Sequence, residues 1–99
     1  MQDKAEYFAL KVLGDSMSPR MFPNDTVIVR KQNVLQSGET GIFLINGGEA
    51  TIKMFVYEEY GIALKPLNIA YETQHYTFEE VESLPIEIVG KVVEVRGKV

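Results

Sequence analysis

The 99-residue sequence predicts an all-β domain, folded as a curled, barrel-like, mostly antiparallel sheet. Apolar side chains alternate every second residue in several short runs that are rich in β-branched and aromatic residues. Clusters of glycine, proline and asparagine separate these runs, and only one short segment has a helical pattern. Since neither a repeat nor a linker divides the chain, we expect a single domain spanning residues 1–99.

The first half of the chain predicts strands at residues 7–13, 26–30 and 40–45. The first of these runs places its apolar side chains on one face, and the second is β-branched almost throughout. Residues 14–25 contain two prolines and an Asn-Asp pair, so they predict a loop between these strands. A Gln-Ser-Gly-Glu turn at residues 36–39 then leads into the third strand.

The second half predicts strands at residues 49–57, 62–65 and 86–96. The sequence Asn-Gly-Gly at residues 46–48 tolerates positive φ angles and predicts a tight hairpin before the first of them. Residues 78–83 predict one helical turn, because Thr77 can cap it while Glu80 reaches back from three residues on. The total is five or six strands.

The last predicted strand, residues 86–96, is a candidate dimer interface. It is long and β-branched, and Gly90 marks a bulge or a bend within it. As an unpaired sheet edge it would pair with a second copy about a two-fold axis, which predicts a homodimer through this strand. Alternating charges could set the register of that pairing: Glu87, Lys91, Glu94 and Arg96. The alternative is that the strand pairs within the chain.

Composition excludes several function classes. The formal net charge is −4, and ten basic residues are scattered among fourteen acidic ones. This charge pattern does not predict that the chain binds nucleic acid by itself. Any DNA-binding role would have to come from a partner or from a segment absent from this sequence. The apolar runs are far too short for a membrane helix, and the N-terminus lacks a signal-peptide pattern. With no cysteine, these features predict a cytoplasmic protein without a membrane partner.

Ser16 and Lys53 are the candidate catalytic residues. Ser16 follows Gly14 in a turn, and a serine nucleophile needs a base, which a desolvated neutral lysine can provide. Lys53 alternates along a predicted strand with Phe55 and other partly apolar neighbours, a setting that lowers a lysine pKa. The backbone N–H groups of Asp15 and Ser16 could stabilise an oxyanion. Such a serine is more often only a turn residue, and such a lysine more often a solvated one.

No other residues form a catalytic or metal-binding pattern. His75, the single histidine, lies in a predicted polar loop without a second histidine or a cysteine to share a metal. The acidic residues of the predicted helical turn indicate a solvated face: Glu79, Glu80 and Glu82. We therefore expect neither a metal nor a cofactor.

Four ordered stretches resemble the C-terminal domain of the LexA-type self-cleaving repressors. They are Gly14 to Pro19 with Pro23 to Val29, Thr51-Ile52-Lys53, Leu64 to Tyr71, and Ile88 to Val93. The resemblance runs from Tyr7 to Arg96, and it implies the all-β fold of that domain, with Ser16 as nucleophile and Lys53 as general base. It further implies a homodimer, self-cleavage promoted by the RecA–single-stranded-DNA filament, and an N-terminal helix-turn-helix domain that binds operator DNA, as in phage and prophage repressors.

Two departures from the family pattern keep alternatives open. No Ala-Gly or Cys-Gly cleavage dipeptide occurs in the residues before Ser16, so this chain is expected to be inactive in cis. Met54 stands where many members have a basic residue. A UmuD-like polymerase accessory subunit and a non-cleaving dimerisation module are the alternatives, while a signal-peptidase relative would need a membrane anchor or an exposed apolar lip.

Overall fold

The computed structural model describes residues 4–97, so the ends of the predicted 1–99 domain lie outside the described residues. The chain forms one antiparallel sheet in the order β1-β2-β7-β3-β4-β5-β6, which is open because β1 and β6 are its two edges. The strands are β1 Tyr7–Lys11, β2 Thr26–Lys31, β3 Thr40–Ile45, β4 Ala50–Glu58, β5 Gly61–Lys65, β6 Gln74–Thr77 and β7 Ile86–Arg96, with one helix, α1 Phe78–Ser83. The all-β, mostly antiparallel prediction is confirmed.

The strand β6 was missed by the sequence analysis, which placed His75 in a loop. Its four residues, Gln-His-Tyr-Thr, have no run of apolar alternation, and only Tyr76 among them is partly buried. They form a strand because they pair with the edge of β5 that β4 leaves open, which places His75 opposite Ala63. The predicted helical turn is correct, since Thr77 Oγ1 accepts from the Glu80 N–H at 3.1 Å and Glu80 Oε1 accepts from the Thr77 N–H at 2.9 Å.

The strand β7 corrects the prediction of an outer edge. It lies in the middle of the sheet, pairing with β2 through residues 90–96 and with β3 through residues 86–91. The apolar pattern could not reveal this, because alternation does not show whether a strand is paired on one edge or on both, and β2 and β3 pair with opposite edges of β7. In the described chain two parts of β7 keep one edge without a strand partner, Ile86–Val89 on the side of β2 and Val92–Arg96 on the side of β3.

Gly90 lies where β2 and β3 both meet β7. A Cβ atom there would stand 2.5 Å from the Arg30 carbonyl oxygen, so only glycine permits this approach. The register shifts lie on either side of it, between Ile28 and Val29 on β2 and between Ile42 and Phe43 on β3. The irregularities predicted at Gly90 therefore flank that residue.

Two buried clusters form the core. The first consists of Val12, Met17, Met21, Val27, Val29 and Ile42. The second consists of Leu35, Phe43, Phe55, Ile62, Leu64 and Ile86. The first cluster is notable for two methionines that come from the loop between β1 and β2, so this loop is packed into the core. Within residues 4–97 no helix is long and apolar enough to cross a bilayer.

Candidate active site

Ser16 lies in the loop between β1 and β2, whose ends are closed by backbone hydrogen bonds. The Val12 N–H donates to the Asp25 carbonyl at 2.8 Å, and the Asn24 N–H donates to the Val12 carbonyl at 2.9 Å. Gly14 has a φ of 74°, the left-handed conformation that reverses the chain just before Ser16. Met17, next to Ser16, is only 2% exposed, so the serine is held against the first core cluster.

Lys53 lies on β4, opposite Gly41 of β3, and its side chain reaches the serine. Its Nζ atom is 3.1 Å from Ser16 Oγ, although the two residues are 37 positions apart. The same Nζ atom is 2.9 Å from Thr51 Oγ1 and 3.2 Å from the Ile52 carbonyl oxygen. The structure thus brings together the two side chains that the sequence analysis paired.

Burial lowers the pKa of Lys53 below its ordinary value. All three hydrogen-bond partners of Nζ are neutral oxygen atoms. In the described part of the chain, no carboxylate forms an ion pair with Lys53 to offset the loss of solvation. The neutral amine is therefore favoured more here than on an exposed lysine.

The backbone around Ser16 has free donors and occupied acceptors. Within residues 4–97, the N–H groups of Asp15 and Ser16 donate no hydrogen bond. The Ser16 carbonyl accepts from the backbone N–H groups of Leu67 at 3.0 Å and Asn68 at 2.9 Å. The Asp15 carbonyl accepts from the Ser18 N–H at 3.1 Å and from Asn68 Nδ2 at 3.0 Å. The two N–H groups predicted for an oxyanion are thus available.

The segment after β5 contacts the serine loop, and the sequence analysis gave it no role in the site. Besides the contacts of Leu67 and Asn68, the Tyr71 hydroxyl donates to the Asp15 carboxylate. No spacing rule links these residues to Ser16, because they lie more than fifty positions away and approach it only in the folded chain. The one signal was that they fall within a stretch that resembles the LexA-type domain.

Two clefts meet at Ser16 and Lys53. The first, of about 280 Å³, runs between the end of β1 and the start of β4 and is largely apolar; its lining includes Leu10, Val12, Leu13, Ala50 and Ile52. The second, of about 400 Å³, is more polar; its lining includes Asp15, Thr51, Tyr71, Glu72 and Gln74. Since both side chains line both clefts, an extended peptide could pass across them.

The remaining residues singled out in the sequence lie away from this site. His75 on β6 places Nδ1 2.9 Å from a carboxylate oxygen of Glu58, at the surface. In residues 4–97 no group of three or more His, Cys, Asp or Glu side chains is arranged to hold a metal. Phe55 is buried with its ring 4.7 Å, edge to face, from that of Tyr57.

Comparison with known proteins agrees with the sequence resemblance. Residues 1–93 match the family described as Peptidase S24-like. The chain is 43% identical over 77 residues to the LexA repressor of Novosphingobium aromaticivorans, covering 77% of this chain and 33% of that protein. It is 42% identical over 89 residues to the LexA repressor of Bartonella quintana, covering 89% of this chain and 35% of that protein. The chain spans about a third of the length of these relatives.

Proposed function

This chain belongs to the Peptidase S24-like family, and on that premise we propose that it is the self-cleavage domain of a LexA-like repressor. Ser16 is the nucleophile and Lys53 the general base. The observation that carries the proposal is the 3.1 Å approach of Lys53 Nζ to Ser16 Oγ, made by a lysine whose pKa burial lowers. A serine that is only a turn residue, or a lysine on a solvated strand face, would require neither this contact nor a lowered pKa.

The hydrogen bonds of Lys53 suit a neutral amine. Such an amine has two N–H donors and one lone pair. The two donors match Thr51 Oγ1 and the Ile52 carbonyl, which leaves the lone pair to accept the Ser16 hydroxyl proton. A proton can then leave Ser16 Oγ for Lys53 Nζ without either side chain changing its position.

The reaction is hydrolysis of one peptide bond through an ester on Ser16. As Lys53 takes the hydroxyl proton, Oγ bonds to the scissile carbonyl carbon and the carbonyl π electrons move to its oxygen. The N–H groups of Asp15 and Ser16 stabilise this oxyanion. The intermediate collapses as the C–N bond breaks, and Lys53 gives its proton to the leaving nitrogen. Water then attacks the ester by the same route, which restores Ser16 and releases the new carboxyl group.

The substrate bond and the partners belong to the rest of the protein. No Ala-Gly or Cys-Gly dipeptide precedes Ser16, so we place the scissile bond in a segment upstream of this chain. The relatives are named repressors, which favours an upstream domain that binds operator DNA in the cytoplasm. Cleavage is promoted by the RecA–single-stranded-DNA filament in an SOS response, and the gene is of phage or prophage origin.

The proposed homodimer forms through β7, but through only one part of this strand, because most of β7 is paired within the sheet. The open edge of Val92–Arg96 takes the place of the whole strand as the pairing surface. A homodimer tethers two DNA-binding domains and raises their joint affinity for an operator. Cleavage between the domains would separate the DNA-binding domains from the dimer. Their affinity for the operator would then fall, and the repressor would dissociate from it.

Two other functions make different predictions. A UmuD-like accessory subunit would share this site but have a short arm upstream in place of a DNA-binding domain. A non-cleaving dimerisation module would have no use for a desolvated lysine beside a serine, so the contact between Lys53 and Ser16 argues against it.

The proposal is tested by cleavage in trans. We expect this domain to cut a LexA-like repressor whose own nucleophile is replaced by alanine, with a rate that rises with pH because Lys53 must lose its proton. Ser16→Ala and Lys53→Arg should each lower the rate about 10³-fold or more, since the guanidinium stays protonated. Gel electrophoresis and mass spectrometry of the products measure the rate and the bond cut.

Lys31→Arg is the matched control, because Lys31 is exposed and its side chain pairs with Glu6 at 3.2 Å at the surface. Its rate should equal that of the wild type. Normal cleavage by the Lys53→Arg variant would contradict the assignment of Lys53 as the base.

A further inference from the structure

We propose that Asn68 is a positioning residue that holds the serine loop so that the Ser16 N–H faces the developing oxyanion. The inference rests on the proposed function of Ser16 and adds a residue to it. Asn68 lies 53 positions from Asp15 and does not contact Ser16 Oγ or Lys53 in the hydrogen bonds of the site. Its effect on the reaction would pass through the backbone of the loop.

Asn68 uses each of its polar groups. Its backbone N–H donates to the Ser16 carbonyl at 2.9 Å, and its side-chain Nδ2 donates to the Asp15 carbonyl at 3.0 Å. Its Oδ1 accepts from the Ala70 N–H at 2.9 Å, and its own carbonyl accepts from the Tyr71 N–H at 3.1 Å. The bond from Ala70 fixes the orientation of the amide, because Oδ1 must face that N–H and Nδ2 must therefore face Asp15.

Holding a carbonyl also sets the direction of the next N–H. A trans peptide is planar, and its C=O and N–H point in opposite directions. The bond from Asn68 Nδ2 to the Asp15 carbonyl therefore orients the N–H of Ser16 away from Asn68. This N–H donates no hydrogen bond within residues 4–97, so it is an oriented donor next to the nucleophile that is available to an oxyanion. An oxyanion needs donors that are oriented before the charge develops.

The segment that carries Asn68 is itself anchored. Pro66 is buried, and Leu67 packs against the first core cluster. On the other side of Asn68, the Tyr71 hydroxyl donates to the Asp15 carboxylate. The segment is therefore held to the core through Pro66 and Leu67, and to the serine loop through Asn68 and Tyr71.

The test measures how fast Ser16 reacts with an alkyl fluorophosphonate. In this reaction Ser16 Oγ bonds to phosphorus, fluoride leaves, the proton passes to Lys53, and the phosphoryl oxygen occupies the place of the oxyanion. The rate of wild-type labelling should rise with pH to a plateau. We expect the plateau of Asn68→Ala to be about 10- to 100-fold lower with the same midpoint, because Lys53 is untouched while the donor is misaligned.

Asn68→Asp separates positioning from a structural role. The carboxylate still accepts from the Ala70 N–H and keeps the turn, but it cannot donate to the Asp15 carbonyl. The inference predicts a plateau at least as low as that of Asn68→Ala, whatever the added charge does to the midpoint. A wild-type plateau in Asn68→Asp would overturn the inference, as would loss of the folded state in both variants by circular dichroism.

Asn33→Ala provides the matched control, since Asn33 is exposed in the loop before β3, and it should label as fast as the wild type. Labelling must map to Ser16 by mass spectrometry and be absent in Ser16→Ala. If the wild type does not label at Ser16 at any pH, the proposed function itself fails and the inference fails with it. A normal wild type with unaffected Asn68 variants would reject the inference alone.

Discussion

At the scale of single residues, Lys53 carries a cost of burial that its proposed role as a general base would explain. Its ammonium form loses solvation in the folded chain, and its hydrogen-bond partners are neutral oxygen atoms, which do not offset that loss as a carboxylate would. Natural proteins often keep such strain at reactive positions, where removing it raises stability and abolishes activity. The stability of the chain should therefore report on Lys53 independently of any cleavage assay.

Lys53→Met is expected to raise the melting temperature, by more at about pH 7 than at about pH 10. The folded state has the lowered pKa, so the unfolded chain binds more protons between that value and the ordinary one, and stability rises with pH there. Below the lowered pKa the full cost of the buried charge is present. The substitution removes this cost, and scanning calorimetry at both pH values measures the gain.

Lys65→Met is the control, because Lys65 is an exposed lysine on the neighbouring strand β5. Its melting temperature should change little and equally at both pH values. A Lys53→Met chain that melts below the wild type at about pH 7 would show that the lysine is not destabilising, and the argument from burial would be wrong.

At the scale of elements, β7 decides how the sheet is joined and where a partner could bind. Three of its four predicted register charges are engaged within the chain, because Lys91 pairs with Glu39 and Arg96 pairs with Glu94. The hydrogen bond from Lys91 lowers the pKa of Glu39. On the side of β3, the edge of Val92–Arg96 remains open, and Val93 and Val95 there are 47% and 37% exposed. A two-fold pairing there would bury these valines against their copies.

Val93→Glu is expected to weaken the dimer at least about tenfold, because a two-fold axis would bring two like charges together across the strands. Val93 lies opposite no residue of β2, since the register passes from Glu94 to Val92. The substitution therefore leaves the pairing within the chain intact. Sedimentation velocity across micromolar concentrations measures the dissociation constant.

Val34→Glu offers the same chemical change at a valine that is 63% exposed before β3, and it should leave dimerisation unchanged. A wild-type chain that is a monomer at every concentration, or a Val93→Glu chain that dimerises as the wild type does, would rule out this edge as the interface.

At the scale of the whole molecule, the core and the candidate site share residues. Met17 and Met21 belong to the first core cluster and to the loop that carries Ser16. Lys53 lies on the same strand as Phe55, which belongs to the second cluster. The two clusters therefore support the two candidate catalytic side chains from separate parts of the sheet, and the geometry of the candidate site depends on the packing of both.

Met17→Ala should lower the free energy of unfolding by about 2–5 kcal/mol, because it leaves a cavity at a side chain that is 2% exposed. It should also slow labelling of Ser16, since the neighbouring residue loses its anchor. Urea denaturation measures the first effect. Met17→Leu conserves volume and should cost less than about 1.5 kcal/mol; an equal loss in both variants would contradict the packing argument.

The sequence by itself determined six of the seven strands, the hairpin, the helix cap and the pairing of Ser16 with Lys53. Alternation, turn residues and capping residues act over a few neighbours, so they can be read locally. The two candidate catalytic residues were singled out by their chemistry and by the resemblance to a family. The tertiary structure alone decided that β7 is central, that β6 is a strand and that Asn68 holds the serine loop. Each of these depends on which distant segments meet. Strands pair through backbone groups that nearly all residues share, so the residues of a strand do not identify the strand with which it pairs.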